Sequence, residues 1–250
     1  MRDPYVAEMK AVILGISPNA TIVDITHEIE KFNIRMGAYV LASASPYFPR
    51  DTAHIAVVDP GVGTERRALL IETKQGFYIG PDNGILALAA KKQGIKHIHK
   101  ITNKRLMLPK ISDTFHGRDI FASAAAHLAN GTASEEFGPE IHKIVMPKFA
   151  KITRRKDSWV GEVIHIDDFG NIVTNLGQKE LKLMGITESL NIKLKDTILK
   201  LRLCKAYAEA ESQKPLAIIG SHNFLEISIN QGNAAEKLKV KSGDKVRISC

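Results

Sequence analysis

The sequence predicts an α/β fold in its first part and an all-β fold in its second part. Up to about residue 150, short apolar runs alternate with amphipathic or alanine-rich segments, a pattern typical of a sheet covered by helices. After about residue 158, short runs of mostly alternating apolar and polar residues indicate a β-sandwich or barrel. We therefore expect an N-terminal domain over 1–148, a linker over 149–157 and a C-terminal domain over 158–250.

The elements of the first part are predicted from hydrophobic periodicity and from the residues that start or stop helices. Pro4 suits a first helical turn and Gly15 ends the same segment, which predicts a helix over 3–15. Apolar runs too short for helices are predicted to be buried strands. The predicted strands are 21–25, 54–58, 68–72, 77–80 and 97–101, and the other predicted helices are about 33–45, a segment from 84 onward and 118–129.

The second part contains a series of short segments with period-two alternation, which is typical of strands with one buried face. A strand also follows the turn near residue 170. The other predicted strands are 159–166, 190–194, 198–203, 216–220, 224–229 and 245–249.

Composition and charge exclude several classes of protein. The formal net charge is +8 at pH 7, but the lysines are scattered and not interleaved with aromatic residues, so we expect no nucleic-acid partner. No apolar run approaches the roughly 20 residues of a membrane helix, and MRDPYVAEMK (1–10) is polar, so we expect neither membrane binding nor a signal peptide. Cys204 and Cys250 have no metal-ligand spacing, which predicts a reducing cytoplasm and no zinc.

A glycine-rich segment, DPGVGTERR (59–67), follows the apolar run 54–58. It lacks the lysine and hydroxyl of a phosphate loop and the third glycine of a dinucleotide fingerprint. Asp59 is expected at the carboxyl end of a strand, where α/β sheets hold ligands, and the turn can bring Arg66 back toward it. Two interpretations stay open: an ion pair that only stabilises the turn, or a carboxylate and a guanidinium held for chemistry.

His116 lies within SDTFHGRDIF (112–121), in a loop before the predicted helix 118–129. Because a helix N-terminus disfavours imidazolium, one interpretation is a neutral imidazole that polarises a water molecule. The other is a structural loop histidine. Asp119 is expected to cap the helix.

Two later segments combine turn residues with polar side chains. IDDFGNIVTN (166–175) is either an Asx turn or a set of acceptors for an amine or a base edge, with Phe169 as a stacking face. Adjacent Asp167 and Asp168 point to opposite faces of a strand, which argues against a magnesium site. GSHNFLEISINQGNAAE (220–236) is either a hairpin or a small-residue loop whose backbone meets a ligand.

Taken in order, these four motifs resemble those of the S-adenosyl-L-methionine (SAM) hydroxide adenosyltransferases, which are SAM hydrolases related to fluorinase and chlorinase. The resemblance covers essentially the whole chain. It implies an N-terminal α/β/α sandwich and a C-terminal β-barrel-like domain. It also implies a homotrimer that binds its ligand between the N-terminal domain of one subunit and the C-terminal domain of the next.

The family's reaction is an SN2 attack by water or hydroxide on C5′ of the ribose, which yields adenosine and L-methionine. Its water-handling Asp-Arg-His set matches Asp59, Arg66 and His116. The resemblance implies that His116 orients or deprotonates the water and that Arg66 fixes Asp59. It implies no metal and no cofactor, since SAM is the substrate.

Residues of the second part match the family's substrate-binding positions. The match assigns Asp168 and Asn171 to the methionine amine and the adenosine, and Ser221 to the methionine part. It assigns Glu226 and the backbone of Ala234 to the adenine pocket. The aromatic residues beside that pocket are Phe169 and Phe224.

Family members begin with a strand and an aspartate that binds both ribose hydroxyls, before the segment that matches DPYVAEMK (3–10). The sequence opens at Met1 without either, which predicts an N-terminally short chain. Three rival functions stay open: binding of adenosine or SAM without turnover, RNA binding by the basic β-domain, and halogenation at C5′. His116 in FHGRD favours hydroxide over halide.

Overall fold

The computed structural model describes residues 3–250, with the backbone only at Ala150, and the chain divides into two compact units. The first unit ends at Pro147 and the second is Lys148–Cys250. Met1 and Arg2, where the predicted N-terminal domain begins, lie outside the described residues. The segment 149–157, predicted as a linker, lies in the second unit and includes the short strand Thr153–Arg155.

The first unit is built on a four-stranded mixed sheet. Its strands are β1 (Thr52–Ile55), β2 (Ala68–Thr73), β3 (Gly76–Pro81) and β4 (Ile95–Lys100), and its helices are α1 (Tyr5–Ile16), α2 (Ile34–Ala44), α3 (Ala87–Gln93) and α4 (Ser123–Ala129). In spatial order the strands are β1, β3, β2 and β4. β1 is parallel to β3, whereas β2 is antiparallel to both of its neighbours.

Helices cover both faces of this sheet, which confirms the predicted α/β/α sandwich. Leu70 of β2 belongs to a buried cluster that contains Phe121 and Ala124, beside α4. The preceding residue, Leu69, lies beside Leu86, next to α3. Since adjacent residues of a strand point to opposite faces, β2 is buried on both sides, and its apolar run is continuous for that reason.

Two strand predictions need correction. Residues 21–25 form no strand, and Val23 among them is 60% exposed. Ile22 joins the buried cluster around Ile13, and Asp24 accepts a hydrogen bond from Lys10 at 2.6 Å. The predicted strand 54–58 is β1, which begins earlier and ends at Ile55.

The second unit is a β-barrel that closes on itself, in agreement with the predicted barrel-like domain. Its strands are β5 (Thr153–Arg155), β6 (Ser158–Ile166), β7 (Ile172–Gly177), β8 (Ser189–Leu194), β9 (Thr197–Cys204), β10 (Pro215–Ile219), β11 (Phe224–Ile229) and β12 (Lys245–Ser249), and its helices are α5 (Gln178–Leu183) and α6 (Ala234–Leu238). The spatial order is β12, β8, β9, β10, β11, β7, β6 and β5, and pairing of β12 with β6 closes the ring. Only β9 and β10 pair in parallel among the described strands of this unit.

The barrel interior is filled by aliphatic side chains from alternate positions of the strands. The buried set includes Val163, Ile172, Leu190, Leu225 and Val246. The predicted strands of this part are confirmed, with ends that differ by at most one residue where bounds were predicted. Within residues 3–250, no helix has both the length and the apolar character that crossing a membrane requires.

Candidate active site

The loop that carries Asp59 leaves the sheet beyond β1. Ala56 still donates its backbone N–H to Ile79 of β3 at 3.1 Å, and the Asn83 side chain donates to the carbonyl oxygen of Val58 at 2.8 Å. These contacts fix the backbone directly before Asp59. The predicted position of Asp59 at a strand end therefore needs a correction, because an extended segment separates it from β1.

The glycine turn after Asp59 folds back and packs against a second loop. The backbone N–H of Val62 donates to the carbonyl of Asp59 at 3.2 Å. Gly63 has φ +76°, and a Cβ at this position would collide with the carbonyl oxygen of Asp113. Glycine is therefore required twice over, for the left-handed backbone and for the close approach of the two loops.

Arg66 joins the two loops through its guanidinium. Its Nε donates to Oδ2 of Asp59 at 2.8 Å, and its Nη2 lies 2.7 Å from Nδ1 of His116. The side chains of Arg66 and Asp59 are only 10% and 5% exposed, so the ion pair is largely shielded from water. The guanidinium centre also lies 5.3 Å from the centre of the Phe121 ring. The structure thus brings together all three residues that match the family's water-handling set.

His116 precedes a π-helical segment, Gly117–Ala122, that leads directly into α4. Burial lowers the pKa of His116 below its usual value of 6.5, and the positive charge of Arg66 lowers it further. The carboxylates of Asp59, Asp119 and Asp113 oppose this shift. The imidazole is therefore favoured in its neutral form.

The contact with Arg66 also selects the tautomer of His116. A guanidinium only donates hydrogen bonds, so Nδ1 of His116 must be the acceptor in this contact. In the neutral imidazole the proton is then on Nε2. His116 therefore presents an N–H donor, and not a free lone pair, on the side away from Arg66.

Arg66 donates to Oδ2 of Asp59, and the second carboxylate oxygen is Oδ1. Among the residues that the structure describes, Oδ1 of Asp59 is buried and has no hydrogen-bond partner. A buried carboxylate oxygen without a donor carries a free-energy penalty, which a bound ligand or water molecule relieves. This oxygen is therefore a candidate for binding the reacting water.

In the second unit, the turn between β6 and β7 is organised by Asp167. Its Oδ1 accepts backbone N–H groups of Phe169 and Asn171 at 3.0 and 2.8 Å, and its Oδ2 accepts the Asn171 side-chain amide at 2.8 Å. Asp168 is exposed, and the Phe169 side chain is 79% exposed. The Asx turn considered in the sequence is present, and Asp168 and Phe169 extend from it.

This turn packs against the start of α6. Gly170 has φ +81°, and a Cβ here would collide with the side chain of Asn233. Asn233 caps α6 by accepting the backbone N–H of Glu236 at 2.8 Å, and Ala235 donates its N–H to the carbonyl of Gly170 at 3.0 Å. Ala234, at the first position of α6, is fully buried beside this junction.

Glu226 of β11 is a buried acidic residue of the second unit. Its carboxylate accepts the hydroxyl of Tyr207 at 2.9 Å, and its other oxygen lies against Gly220, where a Cβ would collide with it. Burial raises the pKa of Glu226, the Tyr207 hydrogen bond opposes this, and the negative charge of Asp167 adds to the rise. Ser221 is exposed in the turn that follows Gly220.

Two further residues of the sequence motifs are Phe224 and Asp119. Phe224 begins β11 and is buried, 9% exposed. The expectation that Asp119 caps the helix is wrong, because its carboxylate accepts the backbone N–H of Ser112 at 2.8 Å instead. Within residues 3–250, no group of three or more His, Cys, Asp or Glu side chains is arranged to hold a metal ion.

Two family models match the chain, one in each of its two parts. The model of the SAM hydroxide adenosyltransferase N-terminal domain matches residues 1–138, and that of the C-terminal domain matches residues 161–247. The chain belongs to the SAM hydroxide adenosyltransferase family.

Individual proteins are similar to this chain over nearly its full length. A relative from Methanocaldococcus jannaschii, named (R)-S-adenosyl-L-methionine hydrolase, is 41% identical, and the match covers 98% of this chain and 91% of the relative. The crystal structure of an uncharacterized conserved protein from Thermotoga maritima superposes with a TM-score of 0.88 at 38% identity, over 100% of this chain and 97% of that one. A fluorinase from Actinopolyspora mzabensis is 26% identical over 99% of this chain and 93% of its own.

Two polar residues of these contacts, Asn233 and Tyr207, were not predicted as site residues. Asp167 was considered, but which of the two adjacent carboxylates points inward was left open. Asn233 carried a signal, since asparagine directly before a short helix is a favoured N-cap. Tyr207 carried none, because its contact with Glu226 joins two segments 19 residues apart.

Proposed function

We propose that this protein hydrolyses S-adenosyl-L-methionine to adenosine and L-methionine, with water attacking C5′ of the ribose. Membership of the SAM hydroxide adenosyltransferase family supports this reaction. The sulfonium sulfur is a stereocentre, and the relative from M. jannaschii is named for the (R) form. We therefore propose the (R) sulfonium as the preferred substrate.

The observation that carries the proposal is the buried Oδ1 of Asp59, which has no hydrogen-bond partner among the described residues. Its second oxygen, Oδ2, is already held by Arg66, so the orientation of the carboxylate is fixed. A water bound to Oδ1 would be held by a group that cannot rotate away. Such positioning of a nucleophile is a large part of what an enzyme contributes to a substitution reaction.

The chemistry needs no acid to assist the leaving group. The C5′–S bond breaks with its electron pair going to sulfur, and the positively charged sulfonium becomes a neutral thioether. The attacking water becomes a protonated oxygen on C5′ and must lose one proton. Oδ1 of Asp59 is the proposed acceptor of this proton.

We assign His116 a donor role. With Nδ1 accepting from Arg66, the neutral ring has its proton on Nε2 and has no lone pair left to deprotonate water. The Nε2–H group can donate to a lone pair of the water that does not attack, and so orient it. Of the two roles that the resemblance implied for His116, we therefore favour orientation over deprotonation.

For substrate binding we keep Asp168, Asn171, Ser221, Phe169, Phe224, Glu226 and Ala234 as proposed contacts and add Tyr207. A carboxyl group with a raised pKa can both accept from the exocyclic amine of adenine and donate to a ring nitrogen. Burial raises the pKa of Glu226, which shifts this group toward the carboxyl form, and Tyr207 donates a hydrogen bond to it. We propose that it recognises the adenine edge.

We further propose a homotrimer in a reducing cytoplasm. The assembly rests on the family resemblance alone. The compartment is supported by the two cysteines, Cys204 and Cys250, which are both free thiols. No cofactor is proposed, since SAM is the substrate.

The test is incubation of the purified protein with separated (R) and (S) sulfonium epimers in ¹⁸O-labelled water. The expected product is adenosine with the label at its 5′-oxygen, formed faster from the (R) epimer. Asp59→Asn and His116→Asn are each expected to lower the rate by roughly 10²-fold or more. His27→Asn is the matched control, because His27 also contacts a carboxylate, that of Asp24, but at an exposed site.

Two of the three rival functions, binding without turnover and halogenation, predict different results in this experiment. Tight binding of adenosine without labelled product would indicate the non-catalytic binding protein. Halide-dependent formation of 5′-halo-adenosine would indicate a halogenase. Label in methionine, or no effect of Asp59→Asn, would contradict the proposed attack at C5′ with Asp59 as acceptor.

A further inference from the structure

Arg118, two residues after His116, makes three contacts around the histidine that the proposed chemistry does not use. Its Nη1 donates to Oε2 of Glu8 in α1 at 2.7 Å, and its Nε donates to Oδ1 of Asp119 at 2.7 Å. Its guanidinium centre lies 5.0 Å from the centre of the Phe115 ring. One side chain thus contacts the residue before His116, a residue after it, and a separate helix.

These contacts continue into the surrounding structure. Asp119 is fully buried, and its second oxygen accepts the backbone N–H of Ser112 at 2.8 Å, which holds the loop leading to His116. The ring of Tyr5 meets Phe115 edge-on, with ring centres 5.1 Å apart. Phe115 is therefore held between α1 and Arg118, so the backbone on both sides of His116 is anchored.

We propose that Arg118 is a positioning residue for His116, acting through Phe115, Asp119 and Glu8 to keep the imidazole at the guanidinium of Arg66. The proposal rests on the proposed function, because it concerns the same hydrolytic site. The three contacts of Arg118 described above are with Glu8, Asp119 and Phe115, and none of them is with the imidazole. It acts by fixing the segment from which His116 projects.

Arg118 also balances a charge close to the imidazole. The charged groups that act on His116 are Arg66, Asp59, Asp113 and Asp119. Of these, Asp119 raises the pKa of His116, and Arg118 is its direct counter-ion. Removal of the positive charge at position 118 leaves Asp119 unbalanced and is expected to raise the pKa of His116.

The decisive variants are Arg118→Met and Arg118→Lys. The first removes the positive charge and the N–H donors of the guanidinium, and the second keeps the positive charge but not the guanidinium. For Arg118→Met we expect kcat to fall roughly 10- to 100-fold with little change in KM. We also expect the imidazole of His116, followed by ¹⁵N NMR and assigned with His116→Asn, to titrate at a higher pH than in the wild type. Arg118→Lys is expected to restore the titration of His116 but only part of kcat.

Arg154→Met is the matched control, because Arg154 also lies over an aromatic ring, 5.8 Å from the centre of Trp159, in the other unit. It is expected to change neither readout. If Arg118→Met does not fold, Glu8→Gln serves instead, since it loosens Arg118 from α1 and leaves Asp119 paired; kcat is then expected to fall a few-fold.

The proposal is overturned if kcat and the His116 titration of the variants match those of the wild type. A loss of thermal stability alone, with both readouts unchanged, also overturns it and leaves Arg118 a purely structural residue. A wild-type protein that does not hydrolyse SAM contradicts the proposed function instead. The NMR titration needs no substrate, so it still decides whether Arg118 controls His116.

Discussion

Nη2 of Arg66 lies 2.7 Å from Nδ1 of His116, and the same guanidinium holds Asp59 through Nε. One arginine therefore sets the orientation of a carboxylate and the tautomer of an imidazole. Neither the carboxylate nor the imidazole can turn without breaking a charge-assisted hydrogen bond inside a shielded site. The proposed water is thus held by Asp59 and His116, and Arg66 orients both of these side chains.

Arg66→Lys is expected to lower kcat by roughly 10²-fold, because one ammonium cannot span Asp59 and His116 in the planar geometry of a guanidinium. The positive charge is kept, so a purely electrostatic role predicts a small effect. The measurement is the initial rate of adenosine formation. Arg202→Lys is the control, since the side chain of Arg202 is 70% exposed and is expected to show wild-type rates.

The rate is expected to be steady near neutral pH and to fall as the pH drops below 6.5, since burial and Arg66 lower the pKa of His116 from that value. Protonation of Nδ1 abolishes the acceptor that Arg66 requires. The measurement is kcat against pH. Asp113→Asn is expected to move the acid limb to lower pH, because the carboxylate of Asp113 raises the pKa of His116. A shift to higher pH would contradict this account.

His54 is expected to make stability depend on pH, independently of the active site. Burial lowers its pKa from 6.5 to about 4, and its ring stacks on Tyr78 with centres 5.1 Å apart. The unfolded chain binds this proton more readily, so its contribution to stability is complete above pH 6.5 and is lost as the pH falls toward 4. The full loss is about 3 kcal/mol.

The measurement for His54 is the Tm at pH 5 and pH 7, compared between the wild type and His54→Phe. The aromatic replacement keeps a ring in the stack but does not titrate. We expect a smaller difference in Tm between the two pH values for the variant. Equal differences would show that His54 does not contribute.

Gly170→Ala is expected to cost about 2–4 kcal/mol, from a left-handed backbone and from the collision with Asn233. Because the 167–171 turn carries proposed substrate contacts, adenosine affinity is also expected to fall. Gly185→Ala separates the two causes, since φ is +69° there and no described atom lies within 4 Å of the added Cβ. That control is expected to cost about 1–2 kcal/mol and to leave adenosine affinity unchanged.

The sequence predicted individual strands and loops better than it predicted contacts. β2 was recognisable because both of its faces are buried, which makes its apolar run continuous. The segment 21–25 is also rich in apolar residues, but its backbone pairs with no strand; Ile22 packs toward α1, whereas Val23 is 60% exposed. Local pattern does not distinguish these two cases.

At the site, the residue types were predictable and their partners were not. Asp59 follows an apolar run, and Arg66 follows the glycine turn that comes after Asp59. This order indicated that the two side chains lie close together. The contact between Arg66 and His116 joins positions 50 apart in the sequence, so it depends on the fold of the whole first unit. The proposed roles of Arg118 and Tyr207 depend in part on contacts between separate segments, those of Arg118 with Glu8 and of Tyr207 with Glu226.

Closure of the barrel has a consequence for how the chain reaches its folded state. β12 pairs with β6, and Lys245 bonds to Glu162 across 83 residues of sequence. Until β12 docks, β6 and β8 each have an open edge of unpaired backbone groups, which other chains can recruit. Such distant pairing is slow to form, so the second unit is expected to be the kinetic bottleneck of folding and the main source of aggregation during synthesis.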